Sequence, residues 1–284
     1  MKLIFFIILI IQKMNSYDTL IISGGSVTGI SMIGKLNKLI NNNEFNLQTV
    51  KNFGGSSIGA VITFLLMIDY TPYEIFEYLL NSEMWNKFNF VQFFSIFSGK
   101  GVFSIEIFRT ELKNLILKKL GKLPKFKDLE KNYFCCSVNL QTSKTVYFEK
   151  NNFPDNDVLE SILMSCSIPI LLEPYVFENA IYVDGGILDN FPINKAIELY
   201  NCKNILGLKS YQELAQNEQV CSSWTTSDFI SLFFCSSIHH SNKQIENVLQ
   251  NKELYFNLIN IKTKYPFYKF NLKKEELINL FYDD

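Results

Sequence analysis

Twice near its start the chain runs from a short β-leaning stretch through a glycine-rich turn into an apolar helical pattern. "YDTLIIS" (17–23) ends in "GGSVTG", after which Ile30, Ile33, Leu36, Leu39 and Ile40 recur at helical spacing. "LQTVKNF" (47–53), read as a second strand, enters "GGSSIG", and "AVITFLLMI" follows as the nearly all-apolar run of a buried helix. Further units follow the same plan. "YFCCSVNL" and "KTVYFEK" read as strands, "DVLESILMSCS" as a helix stopped before Pro169, and "NAIYVDGG" as a strand meeting a turn. Repeated β and α units of this kind imply an α/β fold around a mostly parallel sheet.

Other stretches supply supporting helices. "TPYEIFEYLL" has Thr71 at a helix N-cap, Pro72 at the first helical position and Glu74 at the capping-box position. "SIEIFRTELKNLILKKLG" is amphipathic, with Ser104 as its cap, lysines in its last turn and Gly121 ending it. No internal repeat, low-complexity linker or composition shift divides the chain, so residues 17–284 read as one domain behind an apolar segment at 1–16. Within that segment Leu3 to Ile11 is too short to span a bilayer as a helix. It suits an anchor, a signal h-region or a misassigned start, with Met14 opening the domain at its first strand.

With 27 basic residues against 28 acidic ones, the chain carries no positive field to draw it onto nucleic acid or anionic lipid. Its 6 cysteines show no C-x-x-C pair, and its 2 histidines, His239 and His240, are adjacent. That pattern argues for reduced thiols and against a zinc site, and no cofactor-binding motif is present.

The chemistry is concentrated at three turns. Gly55, Ser56, Ser57, Ile58 and Gly59 form G-x-S-x-G between a strand and a helix. There a serine oxygen can project above the sheet, with the helix N-terminus favouring negative charge beside it. "SGGSVTG" offers backbone amides from Gly24, Gly25, Ser26 and Gly29 that could hold an oxyanion. Its spacing is not that of a dinucleotide loop, and no Walker lysine follows Gly29. "YVDGGILDNFPI" places Asp184 at a strand end before Gly185 and Gly186. A partly buried carboxylate there could take a serine proton without a histidine.

Taken together and in this order, the three motifs resemble the patatin-like phospholipases. Members of that family carry a G-G-x-x-[RK]-G loop, a G-x-S-x-G elbow and a D-G-[GA] motif, matching Gly24 to Gly29, Gly55 to Gly59 and Asp184 to Gly186. "KFKDL" before "NYFCCSVNLQTSKTVYF", and "YKFNLKKEELINLFY" near the end, are also similar, so the likeness runs from about Tyr17 to about Tyr282. The resemblance implies a three-layer α/β/α sandwich and a metal-free, cofactor-free Ser57–Asp184 dyad. It also implies an oxyanion hole at Gly24, Gly25, Ser26 and Gly29, and an acyl-ester lipid such as a phospholipid as substrate. Where the family has a third glycine and then a basic residue, this chain has Ser26 and Thr28. The composition is compatible with a large DNA virus or a low-GC microbe.

Two other readings compete. A Ser-His-Asp esterase would draw its base from His239 or His240, and a non-catalytic lipid-binding member would keep the fold without turnover. For an acyl hydrolase the expected place is the cytoplasm, peripherally on a membrane, with secretion or anchoring through residues 1–13 as the alternative. Contact with that interface is expected from 88–103, with its six phenylalanines, or from 224–238.

Overall fold

The computed structural model describes residues 16–87, 101–212, 236, 254–266 and 268–283. The apolar segment 1–15, most of both expected interfacial stretches, His239, His240, Cys221 and Cys235 lie outside the described residues.

Eight strands form one sheet: β1 (Thr19–Ile22), β2 (Asn52–Ser56), β3 (Asn132–Asn139), β4 (Lys144–Glu149), β5 (Tyr175–Phe177), β6 (Ala180–Asp184), β7 (Asn204–Tyr211) and β8 (Tyr255–Lys262). β3, β2, β1, β7 and β8 run parallel in that order, while β4, β5 and β6 join antiparallel on the β3 side. Eight helices complete the description: α1 (Gly29–Asn41), α2 (Ile58–Met67), α3 (Pro72–Asn81), α4 (Met84–Lys87), α5 (Glu106–Leu120), α6 (Val158–Ser165), α7 (Ile193–Tyr200) and α8 (Lys274–Tyr282). Both faces of the sheet are covered, as a parallel sheet requires. Leu20 and Ile22 join the larger core with α1, α2 and α6, whereas Ile21 points the other way, to Phe191, Ile193 and Ala196 around α7. This is a mixed α/β fold with a central, mostly parallel sheet flanked by helices.

Local signals explain most elements. Thr71 and Glu74 form the reciprocal capping box at α3, with Thr71 Oγ1 accepting from the Glu74 amide (3.1 Å) and Glu74 Oε2 accepting from the Thr71 amide (2.7 Å). Gly121 ends α5 at φ 68°, a left-handed cap that glycine adopts without a Cβ clash. The strand expected at 47–53 is corrected: Leu47–Thr49 is a 3-10 turn and β2 begins at Asn52. Asn46 sets that turn, its Oδ1 accepting the Gln48 amide at 3.0 Å, so a side chain overrides the β-leaning pattern.

One feature of the register positions the site. Cys136 of β3 pairs with Ser56 of β2 and, across its other edge, with Tyr147 of β4. The next residue, Ser137, pairs with Val146 of β4 and with Asp184 of β6. A strand has two edges and β4 fills one, so β2 and β6 share the other and meet end to end.

Candidate active site

Ser57 sits between the last residue of β2 and the first of α2, at φ 53° and ψ −128°. A non-glycine residue here stores strain of about 1–3 kcal/mol and persists only where its surroundings hold it. They do: the Ser57 amide donates to Ser165 Oγ of α6 (2.9 Å), and its carbonyl accepts the Ala60 amide (2.9 Å). The flanking glycines act through close approach. A Cβ on Gly59 would lie 2.1 Å from the Ile22 carbonyl oxygen of β1, and one on Gly55 would lie 2.5 Å from the Gly59 carbonyl carbon. These contacts let α2 begin hard against the ends of β1 and β2, while the left-handed φ falls on the serine itself.

Asp184 ends β6 and caps the turn through Gly185 and Gly186, its Oδ1 accepting the Gly186 amide at 2.7 Å. Burial pushes its carboxyl up to about 6, against the opposing pull of the Ser57 hydroxyl and the Gly186 amide. Ser57 is therefore near enough to favour the carboxylate. Oδ2, however, is buried with no hydrogen-bond partner among the described residues, so the two side chains are loosely engaged.

The 24–29 turn closes the third side. The Gly24 amide donates to the Asn190 carbonyl (3.1 Å), and the Gly24 carbonyl accepts the hydroxyls of Ser210 (2.5 Å) and Ser23 (2.8 Å). The Gly25 amide has no acceptor among the described residues. Ser26, standing where a third glycine was the family pattern, takes φ 49°. Thr28 is buried beside Thr263 (Oγ1 to Oγ1 3.4 Å), so no charge occupies the position of the family's basic residue. Gly29 starts α1 and packs on Ile58, next to Ser57.

The ten residues singled out at the three turns thus sit at or next to the ends of β1, β2 and β6, and Gly24 approaches Ser57 directly, a Cβ there lying 3.2 Å from the Ser57 Cβ. Asn190 was not among them, although it links two of the turns. Its side-chain oxygen would lie 2.4 Å from a Cβ on Gly24 and 2.7 Å from one on Gly186, and the residue is 1% exposed. The available signal was its place two residues before Pro192 in the stretch that opens with D-G-G. Ser165 and Ser210 were also missed, because serines in an apolar helix and at a strand end carry no motif.

Beside Ser57 lies a cavity of 120 Å³ lined by apolar side chains from α1, α2, α5 and α6, among them Ile30, Val61, Leu65, Leu112 and Leu163. Among the described residues no three His, Cys, Asp or Glu side chains could hold a metal ion together, and no helix is long and apolar enough to cross a membrane. Cys135, Cys136, Cys166 and Cys202 are free thiols, and burial pushes each of them up.

A family model described as "Patatin-like phospholipase" matches residues 20–197, more than half of the chain and inclusive of all three turns. This chain belongs to the patatin-like phospholipase family. Among its relatives is a probable lipid hydrolase of Invertebrate iridescent virus 6, 35% identical over 68% of this chain and 67% of that protein. An uncharacterised protein of Acanthamoeba polyphaga mimivirus is 28% identical over 61% of this chain and 59% of its own length. The lysophospholipase NTE1 of Candida albicans is 28% identical over 62% of this chain, which spans only 12% of that protein. Among solved structures, VipD from Legionella pneumophila aligns with a TM-score of 0.48 at 15% identity, over 94% of this chain and 67% of that one. ExoU in complex with SpcU from Pseudomonas aeruginosa aligns with a TM-score of 0.43 at 14% identity, over 83% and 53%.

Proposed function

We propose that this patatin-like protein is a lipid acyl hydrolase of the phospholipase A or lysophospholipase kind, working through a Ser57–Asp184 dyad. The observation that carries the reading is the Asp184 carboxyl, buried beside a strained serine with one oxygen fixed by Gly186 and the other unbonded. A carboxyl held near 6 is ionised at neutral pH and basic enough to act as a proton acceptor. Ser57 Oγ attacks the ester carbonyl carbon as its proton passes to Asp184 Oδ2. The oxyanion that forms faces the Gly25 amide and the first turn of α2, whose leading amides have no partner within the helix. Collapse expels the alcohol, which takes the proton from Asp184 and leaves an acyl ester on Ser57. Water, deprotonated by Asp184, then attacks that ester, and collapse breaks the bond to Ser57 Oγ, which takes the proton back from Asp184 as the fatty acid leaves. Neither metal nor cofactor takes part in this scheme.

The names of the relatives support a lipid substrate: one is a probable lipid hydrolase and another a lysophospholipase. A lipid acyl hydrolase draws its substrate from an interface, so the protein works at a membrane surface, on the cytoplasmic side in this reading. A fluorophosphonate probe tests the proposal. Mass spectrometry should find the adduct on Ser57, and Ser57→Ala should lose both labelling and acyl-ester turnover. A labelled residue elsewhere rejects the assignment, and a folded protein without turnover favours the non-catalytic lipid binder. His239→Gln with His240→Gln should leave labelling and turnover largely intact, and a deep loss in that folded variant would restore the triad.

A further inference from the structure

The proposed reaction uses Asp184 and leaves a second aspartate nearby without a part. Asp189 stands in the stretch that leads from Gly186 to α7. Its carboxylate accepts the Tyr147 hydroxyl of β4 at 2.7 Å and also the Phe191 amide. An ionised carboxylate only accepts, and both of these partners are donors. Burial pushes the carboxyl up to about 6, against the pull of those two donors. The bond to Phe191 spans Asn190 and makes an Asx-turn, in which the aspartate side chain fixes the backbone of the residue between. That residue reaches the 24–29 turn: the Asn190 carbonyl accepts the Gly24 amide (3.1 Å), and its side chain lies against Gly24 and Gly186. The Asp189 backbone is held as well, its amide donating to the Gly185 carbonyl (2.9 Å) and its carbonyl accepting Cys136 Sγ of β3 (3.5 Å). Tyr147 is anchored in turn, paired with Cys136 in the β3–β4 ladder and with Lys195 Nζ 5.1 Å from its ring centroid.

We propose that Asp189, oriented by Tyr147, is a positioning residue for the oxyanion site: through the Asx-turn at Asn190 it sets where the Gly24 and Gly25 amides stand relative to Ser57 and Asp184. The inference rests on the reading of Ser57 as nucleophile and of the 24–29 turn as the oxyanion hole. That turn needs an outside hold, because glycines have the most backbone freedom to lose and Ser26 sits at φ 49°. Ser210 of β7 grips the Gly24 carbonyl (2.5 Å), and Asn190 grips the Gly24 amide from the other side. The Tyr147–Asp189 bond secures that second grip from β4, a strand that supplies none of the residues at the three turns. A hydroxyl lost on β4 is therefore felt where charge develops on the oxyanion, and hardly in the binding of the ester.

The pair is tested with Asp189→Ala, Asp189→Asn and Tyr147→Phe on a soluble short-chain ester. Asp189→Ala removes both bonds and should lower kcat by roughly tenfold or more at nearly unchanged KM, the scale of a small misplacement at a reacting centre. Asp189→Asn should rescue most of that loss, because its amide oxygen accepts from Phe191 while its amide nitrogen donates to the Tyr147 oxygen. Tyr147→Phe should lower kcat alone and add no further loss to Asp189→Ala, as expected of two residues that act as one unit. It deletes a single oxygen, and it carries the test should Asp189→Ala fail to fold. Hydrogen exchange at the Gly24 amide, read by NMR, follows the link without any need for turnover. It should quicken in Asp189→Ala and Tyr147→Phe while the amides of α8 keep their wild-type rates. Unchanged Gly24 exchange in the folded variants, or a loss of kcat that tracks global stability and that asparagine does not rescue, would overturn the proposal. A wild-type protein with neither turnover nor fluorophosphonate labelling would remove the dyad, and quicker Gly24 exchange in the variants would still show that Asp189 orders the turn.

Discussion

Ser57 and Asp184 meet because β2 and β6 abut on one edge of β3, where Ser56 pairs with Cys136 and Asp184 with the next residue, Ser137. The separation of Ser57 and Asp184 is thus a property of the sheet ladder, and changes at either side chain leave that ladder in place.

Asp184→Asn keeps the shape and the bond from the Gly186 amide but removes the base. Turnover should fall by about 100-fold or more, the usual loss for a missing acid–base group. In the wild type kcat/KM should rise with pH through about 6, as Asp184 loses its proton. A flat profile across that range, or a near wild-type rate in the variant, contradicts the dyad.

The same substitution should stabilise the fold. The Asp184 carboxyl is raised from about 4 in the unfolded chain to about 6 in the folded one, so the folded state binds the proton more tightly. The Asp184 contribution to stability is therefore greatest below about 4, declines as pH rises from about 4 to about 6, and levels off above. The buried carboxyl of Asp189, also pushed up to about 6, adds to this decline. Asp184→Asn removes its own share and should gain on the order of 2 kcal/mol at neutral pH and nearly nothing in acid. Urea melts at several pH values measure it, and a destabilised variant at neutral pH would refute the sign.

Asn190 holds the Gly24 turn against the Asp184 turn. Asn190→Ala should reduce kcat by roughly tenfold or more with a smaller effect on KM, because on the proposed mechanism it misplaces amide donors that act on the oxyanion rather than on bound substrate. An equal loss in thermal stability and KM alone would make it a packing residue only.

Ser26 occupies φ 49° where the family pattern has glycine. Ser26→Gly should retain activity, since glycine meets that backbone without strain. Ser26→Val places a β-branched side chain there and should cost about 1–2 kcal/mol together with most of the turnover. Denaturant melts and ester assays on the pair decide it, and a valine variant with normal activity would show that the loop geometry does not matter.

The expectation that 88–103 touches a membrane interface invites a separate test, since Phe93 and Phe94 lie outside the described residues. Phe93→Ser with Phe94→Ser should weaken liposome binding and micellar hydrolysis while sparing a soluble short-chain ester. Equal loss of both activities would assign these rings to the core.

The sequence spelled out the three turns because each needs residue types with few substitutes: Gly59 where α2 meets the Ile22 carbonyl, Asp184 as a strand-end cap, and a serine at the elbow. What it withheld was their meeting. Nothing in the spacing of Ser57 and Asp184 says that β6 takes up the edge of β3 where β2 stops. Asn190 was hidden differently, since an asparagine two residues ahead of a proline reads as an ordinary turn residue. The chain from 47 to 49 misled because Asn46 competes for the backbone. Residues of the cavity, such as Leu65 and Leu112, recur at helical spacing and cannot be told from plain core until their helices are placed side by side.

The abutting of β2 and β6 also bears on how such a protein can change over time. Residues 140–174 leave β3 and return to its edge through β6, so insertions or deletions in the loops of that span need not alter the register that brings Ser57 and Asp184 together. Surface change can then proceed in those loops while Ser57 and Asp184 stay in step.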